Sequence, residues 1–139
     1  MTTEEYMIKG LVPVKRSLVT LLMESGYLYM EMNKPTEAQE VFEGVAALVP
    51  HSSVPHMGLG HLHFSFGRLP EALKAHQKAC DIEPDSAAAH AGVGEILMFL
   101  REFEQAEEQL DLAIALDNDG PAAEFARMLL ETRTLGVFG

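Results

Sequence analysis

Residues 56–84 read HMGLGHLHFSFGRLPEALKAHQKACDIEP, and this stretch decides the fold. Its Gly60 lies midway along the chain between Gly26 and Gly94. Three further columns keep the same spacing over three copies, namely Ala38, Ala72 and Ala106, then Leu48, Ile82 and Leu116, then Val45, Ala79 and Ala113. A fixed period of about 20–50 residues is typical of stacked repeats. The sequence therefore predicts three tandem units.

The columns resemble the tetratricopeptide repeat (TPR), in which each unit of about 34 residues forms two antiparallel helices, A and B. The second copy carries the positions of that motif as His56, Leu59, Gly60, His63, Ala72, His76 and Pro84, with histidines at consensus aromatic positions. We predict an all-α superhelix of three TPR helix-turn-helix repeats over about residues 19–52, 53–86 and 87–120. A capping helix is expected over about residues 121–133, and residues 1–139 are expected to form a single TPR domain.

Three local expectations accompany this fold. Because only small residues fit where two helices cross closely, we expect Gly60 on helix A to face Ala72 and Ala79 on helix B. A short extra helix is expected over residues 3–9, separated from the first repeat by residues 10–13. The tail over residues 135–139 is expected to be loose.

Charge limits the classes of partner. The chain has 139 residues with 10 Lys and Arg against 21 Asp and Glu, a net charge of −11 with neutral histidines. This excess acts against binding nucleic-acid phosphates or an anionic membrane surface. No apolar stretch is long enough to span a bilayer, the N-terminus does not read as a secretory signal, and the single Cys80 cannot form an intramolecular disulfide. We therefore predict a cytoplasmic protein.

The A helices of stacked repeats line a concave face, and the predicted binding groove lies there. Thioether and aromatic side chains suit an extended apolar peptide, because they repack around varied side chains. No Lys or Arg occupies these positions, so an acidic chain terminus is not expected as the partner. The alternative is that neighbouring segments bury some of these residues. The predicted groove residues are Met23, Tyr27, Met30, Met57, His61, Phe64, Glu95, Met98 and Phe99.

Histidines raise a separate question. A cluster of His56, His63 and His76 in the second repeat has two interpretations. The three rings replace consensus aromatics, or they form a metal-binding or pH-sensitive site. We favour the first and predict no metal and no cofactor. The sequence contains no glycine-rich phosphate loop, no paired cysteine motif and no HExxH motif, so we predict that the protein is not an enzyme.

Within the TPR family, three stretches are similar to class II type III secretion chaperones of bacteria. They are residues 33–42 (NKPTEAQEVF), residues 58–60 (GLG) followed by Gly67, and residues 104–107 (EQAE). The resemblance implies a cytoplasmic chaperone that holds a translocator or needle subunit before export, with a partner segment extended in the groove. By position, its pockets would be built from Tyr27, Met30, Met57, His61, Phe64 and Met98. The alternative is a scaffold or adaptor in another assembly, including one that self-associates as a homodimer.

Overall fold

The computed structural model describes residues 5–7 and 13–139, which form two short strands followed by seven helices. The strands pair antiparallel, with Tyr6 opposite Val14. The elements are β1 (Glu5–Met7), β2 (Pro13–Lys15), α1 (Arg16–Glu31), α2 (Pro35–Leu48), α3 (Val54–Ser65), α4 (Leu69–Ile82), α5 (Ala87–Phe99), α6 (Phe103–Leu116) and α7 (Pro121–Thr134).

The helices pair in the order of the chain. Helices α1 and α2, α3 and α4, and α5 and α6 form three hairpins, and α7 packs on both α5 and α6. A proline in the first turn begins α2, α3, α4 and α7, where its missing N–H has no partner to lose. The predicted all-α TPR architecture is confirmed.

The N-terminal expectation is wrong where the structure describes it. Residues 5–7 form strand β1 rather than part of a helix, while residues 3, 4, 8 and 9 lie outside the described residues. Strand β2 is anchored because the side chain of Val14, 7% exposed, packs against Val19 and Met23 of α1. Because β2 is extended, its backbone N–H and C=O groups need partners outside the segment. Strand β1 provides them by pairing with β2.

In the first two repeats, one side chain of the B helix lies between two A helices. Phe42 of α2 lies against both Gly26 of α1 and Gly58 of α3, and a Cβ atom added at Gly58 would lie 2.9 Å from the Phe42 ring. No larger residue fits at these glycines unless the ring moves. We call such a residue the inserted side chain of its repeat.

The same arrangement recurs one repeat later. His76 of α4 lies against Gly60 of α3 and Gly92 of α5, and a Cβ atom added at Gly92 would lie 2.8 Å from His76 Cε1. In the third repeat the inserted side chain is Leu110, which lies against Gly94. The inserted side chains thus recur along the chain with the same spacing as the glycines.

The expected neighbours of Gly60 therefore need correction. Ala72 and Ala79 are fully buried, but the atoms nearest to a Cβ at Gly60 all belong to His76. His76 lies one helical turn after Ala72 and one before Ala79, so it shares their helix face. Its ring provides the atoms nearest to Gly60, closer than those of either alanine.

The apolar core consists of two clusters, and His76 belongs to neither of them. One apolar cluster is built around Phe42 in the first repeat, and another around Leu110 in the third. His76 is 0% exposed, and neither of its ring nitrogens has a hydrogen-bond partner. Burial, with a smaller contribution from His61, lowers the pKa of His76 from 6.5 to about 4. The ring is therefore neutral at pH 7.

We expect acid to destabilise this fold through His76. The unfolded chain binds a proton at this histidine below pH 6.5 and the folded chain does not until about pH 4. Stability present above pH 6.5 is therefore lost as the pH falls towards 4, by roughly 3 kcal/mol from this group. Urea unfolding of the wild type and of His76→Phe at pH 7 and pH 4.5 measures the effect. Phe42 has the same surroundings, so phenylalanine should fit, and the variant should lose less stability on acidification. An equal loss in both proteins would contradict this role.

The glycine contacts give a second prediction. Gly92→Ala should lower the free energy of unfolding by about 1–3 kcal/mol, because the added methyl group meets the His76 ring. Gly44→Ala is the matched control, since Gly44 lies in α2 and a Cβ atom there would meet nothing within 4 Å. The control should gain about 0.5–1 kcal/mol from helix propensity. Urea denaturation of both variants checks the pair, and a Gly92→Ala protein as stable as Gly44→Ala would contradict the close packing.

Candidate functional site

A pocket of about 600 Å³ opens between α3, α5 and the first turns of α7. All three helices occupy A positions in the order of the repeats, and we name this site the A-helix pocket. Its wall is mostly apolar, and among the residues that the structure describes it contains no lysine or arginine. The lining residues are Met57, His61, Phe64, Ser65, Ala88, Ala91, Gly92, Glu95, Pro121, Ala122 and Phe125.

The structure brings four of the predicted groove residues together in this pocket. Met57, His61 and Phe64 enter it from α3, and Glu95 enters it from α5. Phe99 lies beside them, with its ring centroid 5.1 Å from that of Phe64 and 45% of its surface exposed.

Tyr27 and Met30 lie next to the first repeat rather than in the pocket wall. The Tyr27 hydroxyl forms a hydrogen bond of 2.8 Å with Nδ1 of His61, so Tyr27 connects α1 to the pocket. Met30 is half-buried and packs against the first apolar cluster.

Two predicted groove residues are core residues instead. Met98 is 0% exposed and packs with Leu110 and Leu129, while Met23 is 6% exposed and packs with Phe42. The groove assignment of these two residues is wrong. Helix α5 contacts α3, α4, α6 and α7, which leaves little of its surface free. Met23 is covered because the first repeat also carries strand β2.

The polar groups of the pocket are neutral or desolvated. Burial lowers the pKa of His61 and raises the pKa of Tyr27, so at pH 7 their hydrogen bond joins two uncharged groups. Burial raises the pKa of Glu95 as well. These three residues occupy equivalent positions of successive repeats and form one column across the three A helices.

The contribution of α7 was not predicted from the sequence. Pro121, Ala122 and Phe125 close the pocket, although this helix was expected only to cap the third repeat. The sequence does contain a signal for this contribution. Phe125 lies one repeat length after Ala91 and two after Met57, in the same column. Helix α7 therefore continues the series of A helices.

The chain terminus also contributes near the pocket, so the expectation of a loose tail is wrong for Phe138. Its ring centroid lies 5.3 Å from that of Phe99 and 6.4 Å from that of Phe103, and its carbonyl oxygen accepts a hydrogen bond from Arg101. Phe64, Phe99 and Phe138 consequently form a continuous row of aromatic rings.

The second-repeat histidines do not assemble as the cluster of His56, His63 and His76. The ring next to His76 is that of His61, with centroids 5.3 Å apart. In the part of the chain that the structure describes, no group of three or more His, Cys, Asp or Glu side chains could hold a metal ion. Burial and the nearby charge of Asp81 raise the pKa of the Cys80 thiol to about 11, which keeps it protonated at neutral pH.

Two family models described as tetratricopeptide repeat match the sequence, one over residues 23–87 and the other over residues 63–129. Together they span residues 23–129, from the middle of α1 through α6 and into α7. The chain belongs to the tetratricopeptide repeat family. No curated protein is similar enough in sequence to count as a match.

Solved structures share this TPR fold at low sequence identity. The translocator chaperone SycD of Yersinia enterocolitica has a TM-score of 0.75 at 20% identity, covering 86% of this chain and 94% of SycD. PcrH, solved with the chaperone binding region of PopB, has a TM-score of 0.70 at 22% identity, covering 86% and 95%. The first TPR of Spaghetti (RPAP3), bound to the HSP90 peptide SRMEEVD, has a TM-score of 0.71 at 17% identity, covering 84% and 95%.

The helices are short, and α1 with 16 residues is the longest of those described. No helix among residues 5–7 and 13–139 is long and apolar enough to cross a membrane.

The difference between pocket and core methionines is testable by stability. Met98→Ala should lower the free energy of unfolding by about 2–5 kcal/mol, because it leaves a cavity in the core. Met57→Ala should cost less than about 1 kcal/mol, because this side chain faces an open pocket. Urea denaturation of the two variants gives the comparison. Equal losses, or a larger loss for Met57→Ala, would contradict the placement of the two residues.

Proposed function

We propose that this TPR domain is a binding module that holds an extended, apolar segment of a partner protein in the A-helix pocket. In its most concrete form, the protein is a cytoplasmic bacterial chaperone for a type III secretion substrate, a translocator or needle subunit. The observation that carries the proposal is the apolar wall built jointly by α3, α5 and α7, with Met57, Phe64 and Phe125 facing one opening.

The shape of the pocket supports a segment rather than a flat contact. A volume of about 600 Å³ lies within the range of sites that enclose most of a small ligand, so it can take up several apolar side chains of a peptide. Beyond the pocket, the aromatic row continues through the half-exposed Phe99. A chain bound along this line would cover apolar surface over its length.

The structural relatives supply the more specific part of the proposal. SycD is described as a type III secretion translocator chaperone, and PcrH was solved with the chaperone binding region of PopB. The structural match extends over nearly the whole length of both chaperone chains. We transfer the role of holding a translocator segment to this chain on the joint basis of fold and apolar pocket.

An acidic peptide is a poor occupant of this site. RPAP3 was solved with SRMEEVD, a peptide rich in acidic residues. Here the described pocket wall presents Glu95 and no Lys or Arg, and the whole chain carries a net charge of −11. Coulomb repulsion would therefore oppose such a peptide.

A second candidate function is self-association as part of a scaffold. Helix α1 exposes large apolar side chains, with exposures of 45–59%, at Leu18, Leu21 and Leu28, and Met32 follows it at 50%. Leu21 and Leu28 are separated by one heptad, a spacing typical of a helix that packs on another helix. Sedimentation velocity of the wild type and Leu21→Glu tests this version, and a wild type that stays monomeric at high concentration would exclude it.

Capture of partners from the source cells tests the main proposal. Tagged wild type should retain a secretion subunit identified by mass spectrometry, and Phe64→Glu should retain at least tenfold less, because a carboxylate would be buried in the apolar pocket. Leu112→Glu is the matched control, since Leu112 is 39% exposed on α6 and lies outside the pocket wall. Thermal unfolding should confirm that both variants are folded. Retention of no secretion subunit by the wild type, or undiminished retention by Phe64→Glu, would contradict the proposal.

A further inference from the structure

Glu95 is the only acidic residue in the described wall of the A-helix pocket. It lies on α5 among Ala88, Ala91 and Gly92, with the aromatic rings of Phe64 and Phe125 in the same wall. Its carboxylate forms no hydrogen bond or ion pair with any residue in the part of the chain that the structure describes. An acidic side chain is thus held in apolar surroundings without a partner.

Among the equivalent residues of the three repeats, Glu95 is the one without a hydrogen-bond partner in the described chain. Tyr27, His61 and Glu95 are equivalent residues of successive repeats. Tyr27 on α1 and His61 on α3 form a hydrogen bond of 2.8 Å with each other. The third, Glu95, has no such partner among the described residues, and α7 offers Leu129 at the next equivalent position.

Occupation of the pocket would change the surroundings of this carboxylate. An apolar segment that fills the site displaces the water around Glu95, and a buried ionised carboxylate without a partner is strongly unfavourable. His61 is a poor source of that charge, because burial lowers the pKa of its ring and Nδ1 forms a hydrogen bond with Tyr27. No Lys or Arg of residues 13–139 lines the pocket. A cation on the occupant would compensate this charge and keep the carboxylate ionised, whereas an occupant without a cation would leave Glu95 to take up a proton.

We propose that the partner segment carries a lysine or arginine close to its apolar anchor, and that this cation pairs with Glu95 inside the A-helix pocket. The inference rests on the proposed function and specifies its partner. The apolar wall provides affinity for the anchor, and Glu95 selects among apolar segments by the basic residue beside it. The net charge of −11 favours approach of the same basic segment from solution.

Selection from a phage-displayed library of random dodecapeptides on the purified full chain provides the probe. The wild type should enrich apolar peptides with Lys or Arg within one helical turn of an aromatic or aliphatic residue. Selection on Glu95→Gln should enrich apolar peptides without that basic preference. Glu108→Gln is the matched control, because it removes the same charge from an exposed position on α6 and should retain the preference.

The strongest lysine-containing peptide then allows a test on the wild type itself. Acetylation of its lysine should weaken binding to the wild type and to Glu108→Gln by about tenfold, measured by fluorescence anisotropy, and to Glu95→Gln by less than about threefold. Apolar peptides enriched without basic residues, or an acetylation effect of equal size in Glu95→Gln, would overturn this inference and leave the proposed function standing. Enrichment of no peptide at all would overturn the proposed function and the inference with it.

Discussion

The insertion of one B-helix side chain between the glycines of two A helices is the contact on which this structure depends. Phe42 between Gly26 and Gly58 sets the distance from α1 to α3, and His76 at Gly60 and Gly92 sets the distance from α3 to α5. Because Phe42 and His76 each contact their own repeat and the next one, they stack the repeats as well as closing their hairpins. The A-helix pocket exists because this stacking brings α3, α5 and α7 side by side.

In the middle repeat the inserted side chain is a histidine, His76, which makes this contact weaker than in the other two repeats. Phe42 and Leu110 bury apolar side chains, whereas His76 buries two ring nitrogens without hydrogen-bond partners. A buried polar atom without a partner costs free energy that an apolar residue in its place would not cost. His76 also contacts His61, and His61 lines the pocket. This unfavourable contact of the core is therefore adjacent to the candidate binding site.

The repeat period was sufficient to predict the helices and their pairing, because small residues at a fixed spacing leave few ways to pack a hairpin. The sequence did not predict that the ring of His76, rather than Ala72 or Ala79, fills the space at Gly60, since side-chain reach depends on the distance between helices. The burial of Met98 was missed for a related reason: one helix face looks equivalent to another until the neighbours of α5 are known. By contrast, Phe125, in the same column as Met57 and Ala91, could have revealed that α7 completes the pocket. The repeat alignment predicted Met57, His61, Phe64 and Glu95 on one face, and the structure has all four in the wall of one pocket.

The central claim is that a partner segment occupies the A-helix pocket, and methionine methyl NMR tests it directly. The chain has eight methionines, which include Met57 in the pocket and Met128, 51% exposed on α7 and outside the pocket wall. Titration of methyl-labelled protein with the tightest selected dodecapeptide should shift the Met57 signal and leave that of Met128 in place. A shift of Met128 with an unchanged Met57 signal would show that the segment binds elsewhere and would contradict the account.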